Sequence, residues 1–121
     1  MTIHDNELTE AAKAANSESR VVANYATFST TDLTITPSMT FTGEIPVRFA
    51  VTKSRVNNVV SATGIRSGTA VGSSAGETLY EAAMNSAATS GTVLAIQGLP
   101  SILHTTNFDI EVNWDVGYER D

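Results

Sequence analysis

Two histidines and a run of carboxylates near the C-terminus are the residues through which this 121-residue chain could do chemistry. Ser101, His104 and Asp109 could in principle form a nucleophile relay, but no strand-turn-helix elbow motif accompanies them. His4 lies in a polar N-terminal stretch with no partner of that kind. In FDIEVNWDVGY, residues 108–118, Asp109, Glu111 and Asp115 alternate with apolar residues and so share one face of a strand. Next-nearest residues on such a face are about 7 Å apart, too far for one strand to chelate a calcium ion with oxygens at about 2.4 Å. No Asp-x-Asp-x-Asp-Gly loop assists them. A glycosidase could use two carboxylates at such a separation, yet no aromatic sugar groove is evident. The chain has no cysteine, which removes disulfides, thiolate catalysis and cysteine-bound metals. The expectation is a protein without a catalytic constellation, metal or cofactor.

Composition points the same way. Twelve serines and 17 threonines make much of the surface hydroxyl rather than charge, and threonine suits a pleated strand. A net charge of −6 argues against nucleic acid, because phosphate binding needs lysine and arginine to displace counterions. No window approaches the roughly 18 apolar residues of a membrane span. The opening MTIHDNELTEAAKAANSESR lacks the basic start and apolar run of a secretory signal. Charge is segregated: residues 45–76 carry Arg48, Lys53, Arg55 and Arg66 and no acid, whereas residues 108–121 carry five acids against Arg120. Either these segments are neighbours in one sheet and offset each other, or they meet between subunits.

The elements that must position these residues follow from periodicity. DNELTEAAKAAN has helical composition, with Asp5 as its expected N-cap and a thin stripe of Leu8, Ala11, Ala12 and Ala15. Residues 1–20 therefore read as an arm, and residues 21–121 as a single domain. Tyr25 and Phe28 fall in a strand-like region. Leu33, Ile35, Met39 and Phe41, then Ile45, Val47, Phe49 and Val51, alternate cleanly and predict two strands joined at TGE, with Pro37 and Pro46 at edges or bulges. SATGIRSGTAVGSSAG, residues 61–76, reads as a mobile loop with at most a short strand around Thr69 to Val71. In the following stretch Leu79, Tyr80, Ala83, Met84, Ala87 and Ala88 form an i, i+3, i+4 stripe. Ser74 and Glu77 have capping-box spacing and Gly91 supplies a stop, so a helix is predicted over about 76–90. TVLAIQG is a short strand, GLPSILHTTN a connection, and the acidic alternating strand closes the domain.

The phrase GETLYEAA, residues 76–83, resembles the strand-to-helix passage of β-grasp domains, where a Gly-x-Thr-Leu turn opens the helix that lies across the sheet. The resemblance covers about 40 residues around it and implies a sheet crossed by one helix. Iron–sulfur members of that family bind their cluster through cysteines, which this chain lacks, so that activity is not carried over.

The reading as a whole is an α+β domain: a mostly antiparallel twisted sheet crossed by one helix, with a partly helical N-terminal arm. Its expected role is a non-enzymatic, self-assembling structural protein, such as an accessory, cement, coat or tail subunit of a bacteriophage virion assembled in the host cytoplasm. The alternative is a small cytoplasmic β-grasp-like module that binds a ligand or a protein, inhibitory proteins included. The expected partner is the chain itself or other virion proteins. The candidate assembly surface combines Leu8, Ala11 and Ala12 of the arm, the basic Arg48, Lys53 and Arg55, and the acidic Asp109, Glu111 and Asp115.

Alternation over residues 108–118 turns the even-numbered side chains inward, and Trp114 is the most sensitive probe of that placement. Trp114→Ala should cost about 3–5 kcal/mol, as large-to-small aromatic core substitutions do. Urea unfolding measures it, and native tryptophan emission near that of free indole would contradict an inward Trp114.

Overall fold

The computed structural model describes residues 1–16, 18 and 21–117. The strands are β1 (Thr2–Ile3), β2 (Tyr25–Ser29), β3 (Phe49–Val56), β4 (Val59–Arg66), β5 (Thr78–Asn85), β6 (Val93–Leu103) and β7 (Ile110–Gly117), and helix α1 spans Asp5–Ala15. They form one seven-stranded sheet in the order β1-β6-β5-β2-β3-β4-β7, and every neighbouring pair is antiparallel. The mostly antiparallel sheet with a short helix agrees with the sequence reading. That helix, α1, lies in the N-terminal segment where helical composition was expected; the second helix, expected to cross the sheet over about 76–90, is not formed.

Residues 78–85 are strand, not helix. β5 lies between β2 and β6, and Leu79, Glu81, Ala82, Ala83, Met84 and Asn85 are all buried. A strand covered on both faces shows no polar–apolar alternation, and its apolar positions then mimic a helical stripe. The helical preference of its alanines is overridden by packing. Ser74, expected to cap a helix, has a φ of 58° in the preceding turn.

What covers the outer face of β5 is the segment from Thr30 to Glu44. Its alternating residues do not pair as a strand; a single bridge joins Glu44 to Ser29. Instead Leu33, Ile35, Met39 and Phe41 pack on Ala83, Ile96 and Val93. The alternation is that of an extended strap laid flat, one side on the sheet and the other in water. Polar side chains of the covered face tie it down. Ser29 Oγ donates to Thr42 O at 2.7 Å, and Leu33 N donates to Glu81 Oε1 at 2.8 Å.

Two further sequence expectations change. SATGIR, expected as loop, is the body of β4; the loop is confined to the turns of residues 67–76. Gly64 is needed there because a Cβ would sit 2.8 Å from the Phe49 ring, itself 5.1 Å from Phe28. The expected connection GLPSILHTTN continues β6 as far as Leu103. Pro100 and Ser101 are accommodated by an irregularity that opposes Leu79 to Ile102 but Glu81 to Gly98.

The N-terminal segment lies on this sheet. Ile3 pairs with Ala95, Asp5 N donates to Pro37 O at 2.8 Å, and Asn6 Nδ2 donates to Val93 O at 3.1 Å. His4, not Asp5, caps α1: its Nδ1 accepts from Asn6 N at 3.1 Å, and its Nε2 donates to Met39 O at 2.8 Å. The buried face of the helix carries Glu7 and Glu10, while Leu8 is 63% exposed. Ser17, Ser19 and Arg20 of the expected arm lie outside the described residues, as do Tyr118, Glu119, Arg120 and Asp121.

On the inner face Ala26, Phe28, Phe49, Leu79, Ala82, Ile110, Val112 and Trp114 form the main core. Trp114 is 3% exposed, as the alternation of β7 predicts, and Ile110 and Val112 are buried with it; Phe108, before the strand starts, is exposed.

Burial raises the Glu81 carboxyl above its ordinary value, against the opposing Leu33 N–H, and nearby Asp32 adds to the rise. Ionising Glu81 thus costs more in the folded than in the unfolded chain. Its contribution is most favourable below the ordinary glutamate range and is lost as pH rises through the folded pKa. Glu81→Gln should therefore gain stability relative to the parent as pH rises from 4 to 8, and thermal melts across that range would show it. A relative gain that appears instead as pH falls would contradict this account.

Candidate functional site: an apolar cavity at one end of the curled sheet

The strands curl around the core, and their two ends are closed differently. At one end β4 finishes with Arg66, whose guanidinium lies 5.9 Å from the Phe49 ring centre and donates to Val71 O at 2.8 Å. The turns of 67–76 pack there against the loop after β6, so closely that a Cβ on Gly68 would collide with Thr105 O. His104 is fully buried in this plug, and its Nδ1 donates to Ser73 O at 3.4 Å. His104, which would be the base of a Ser101, His104 and Asp109 relay, is thus shut off from solvent, whereas Ser101 and Asp109 are exposed.

The opposite end is open and holds a cavity of about 410 Å³. Its lining runs right around the sheet: Ile3 of β1, Leu94 and Ala95 of β6, Met84 of β5, Val22 and Ala23 before β2, Lys53 and Arg55 of β3, Val60 and Ala62 of β4, and Val116 of β7, with Glu7 of α1 alongside. Ile3 and Val116 belong to the two edge strands, so the sheet curls until both edges border one space. Small side chains leave that space open. Ala23, Ala62 and Ala95 stand where a filled barrel end would place larger residues. A bulge opposite the end of β5 pairs Met84 with Ala95 but Asn85 with Val93, which brings both Leu94 and Ala95 to the cavity.

Register decides which charges reach it. Lys53 opposes Ala62, which opposes Trp114, and Arg55 opposes Val60, which opposes Val116. Directly opposed residues share a face, so both cations lie on the inner side. Lys53 Nζ donates to Asn24 Oδ1 at 2.9 Å and Arg55 Nη1 to Asn57 O at 2.6 Å. Neither has a carboxylate salt-bridge partner among the described residues. Glu111 and Asp115 oppose Ile65 and Ser61 and are exposed on the outer face. There Asp115 accepts from Ser61 Oγ at 2.6 Å, and Asn113 Oδ1 accepts from Thr63 Oγ1 at 2.8 Å. The basic and acidic strands are near neighbours in one sheet, but their charges point to opposite sides.

Of the residues singled out by sequence, Lys53 and Arg55 reach the cavity. Leu8, Ala11 and Ala12 are on α1 outside it, and Asp109 lies in the loop before β7. Arg48 belongs elsewhere. It faces a second cleft of about 350 Å³ that also borders His4, Thr40, Asn85 and Ser90. Its Nε and Nη2 grip the two oxygens of Glu44 at 2.7 and 3.0 Å, and its Nη1 donates to Ala87 O and Ser90 O at 2.7 and 2.6 Å. These bonds hold the Glu44 carboxyl below its ordinary value and leave Arg48 little free donor capacity for a ligand. It staples the β5–β6 turn to the strap. No sequence motif marks the apolar lining; its signal in the sequence is alanine at inward positions on separate strands.

No family model, curated protein or solved structure matches the chain. Among the described residues, no group of three or more His, Asp or Glu side chains is placed to hold a metal ion, and no helix is long and apolar enough to cross a membrane.

Arg48→Lys keeps the charge but cannot make both the carboxylate fork and two carbonyl bonds. It should cost about 1–3 kcal/mol in urea unfolding. A loss within about 0.5 kcal/mol, ordinary for surface substitutions, would show the staple to be dispensable.

Proposed function

We propose that the chain is a non-enzymatic binding module whose curled sheet takes a small, predominantly apolar molecule into the open end. The observation that carries this reading is the 410 Å³ cavity, mostly apolar and bordered by a few polar groups. Small-molecule sites commonly enclose about 300–1,000 Å³ and have that kind of lining. Met84 in the wall adds an adaptable surface. What supports the reading is this geometry and not the local likeness of GETLYEAA to β-grasp proteins, since that phrase falls on a turn and on β5.

A second reading, a self-assembling structural subunit of the bacteriophage virion type, is favoured by the sheet edges. Among the described residues β7 pairs on one side alone, and β1 pairs only with Ala95 and Ile96 of β6. Unpaired edge backbone of that length is a template for another chain, although the acids of β7 oppose unselective pairing. Light scattering over a range of concentrations separates the two: a concentration-independent monomer removes the assembly reading.

Filling the space tests the binding role directly. Ala23→Phe should abolish displaceable binding of an environment-sensitive apolar dye while leaving the melting temperature unchanged or higher. If the variant bound the dye as tightly as the parent, the cavity would not be the binding site.

A further inference from the structure

Granting the binding role proposed above, we infer that the ligand is a single-chain amphiphile with an anionic head, of the fatty-acid carboxylate class. The tail is specified by volume and lining. A space of 410 Å³ walled by Val60, Ala62, Leu94 and Val116 accommodates on the order of ten chain carbons at about 30 Å³ for each water-sized group. The head is specified by charge. Lys53 and Arg55 are two residues apart on one face of β3 and both border the cavity. Their assigned hydrogen bonds go to an amide and a backbone carbonyl, so their charge is not neutralised by those contacts. Lys53 keeps further N–H donors, and Arg55 keeps a second terminal nitrogen, for a carboxylate.

Bound this way, the head lies between the exposed cations and the tail passes inward along β4 and β7. A neutral molecule of the same length would gain the tail contacts without the charge pairing. The preference for an anion is thus separable from the capacity to bind.

The experiment compares laurate, dodecanol and dodecylammonium, all below their aggregation concentrations, by calorimetry on the full chain. Laurate should bind about tenfold more tightly than dodecanol, the scale of two modest surface ion pairs. In the double variant Lys53→Gln, Arg55→Gln the laurate-to-dodecanol ratio should fall to about twofold or less, since that ratio isolates the charge pairing from whatever apolar wall the two side chains contribute. Both positions are exposed, and circular dichroism checks that the fold is retained. Equal affinity for laurate and dodecanol, or a preference for the ammonium, overturns the anionic head and leaves the apolar cavity standing. No binding of any of the three overturns both. Anionic phospholipid vesicles form a second arm: cosedimentation that needs Lys53 and Arg55, without binding of monomeric laurate, assigns the cations to a membrane surface and overturns the free-acid inference.

Discussion

The strap of residues 30–44 is fixed across the outer face of β2, β5 and β6 by groups that are themselves buried, Ser29 and Glu81 among them. Removing the strap would expose Ala83 and Ile96 together with those polar side chains. Covering them is what allows β5 to be apolar on one face and partly polar on the other while being dry on both. Arg48 then links the same strap to the β5–β6 turn. Half of the sheet is thereby sandwiched and held in shape. The other half, β3, β4 and β7, carries an exposed outer face of threonine, serine, asparagine and acid, and its inner face curls over the core.

This division explains where the cavity forms. At the plugged end large rings, Phe28 and Phe49, and the buried Arg66 fill the interior. At the open end no aromatic ring lines the interior and alanine or valine stands at six of the lining positions, and the two sheet edges border one space without joining among the described residues. A closed barrel satisfies all edge backbone but fixes its interior by strand number and tilt. An open curl with an edge strand of two residues leaves both an entrance and unpaired backbone. Binding within the sheet and association through its edges thus arise from the same geometric feature.

How much of this was legible in the sequence depended on how many faces of an element meet water. β7 has one wet face, so the alternation of Ile110, Val112, Trp114 and Val116 with acids and amide placed Trp114 correctly. β5 has none, and Leu79, Ala83 and Met84 were indistinguishable from a helical stripe, with alanine favouring the error. The strap was misread for the converse reason: Leu33, Ile35, Met39 and Phe41 have true strand periodicity, but their backbone partners are side chains and isolated carbonyls. Periodicity reports which side of a segment is buried; it does not report what hydrogen-bonds to its edges. The cavity was harder still, because it is made of what is missing at Ala23, Ala62 and Ala95, on elements distant in sequence.

Charge shows the same limit most clearly. The sequence separates a basic stretch from an acidic one, and the sheet does bring them within one strand of each other, β4 lying between β3 and β7. Proximity alone would predict mutual neutralisation. Parity prevents it: Lys53 and Arg55 share their face with Ala62 and Val60, while Glu111 and Asp115 share theirs with Ile65 and Ser61. A shift of one residue in either pairing would send one charge set to the other side of the sheet. Burial of Trp114 opposes a slip of the β4–β7 pairing, since that would carry the ring outward into water and the acids inward. A single aromatic in the core therefore also fixes the sign of the charge at the cavity mouth, although it is not itself among the residues that line it.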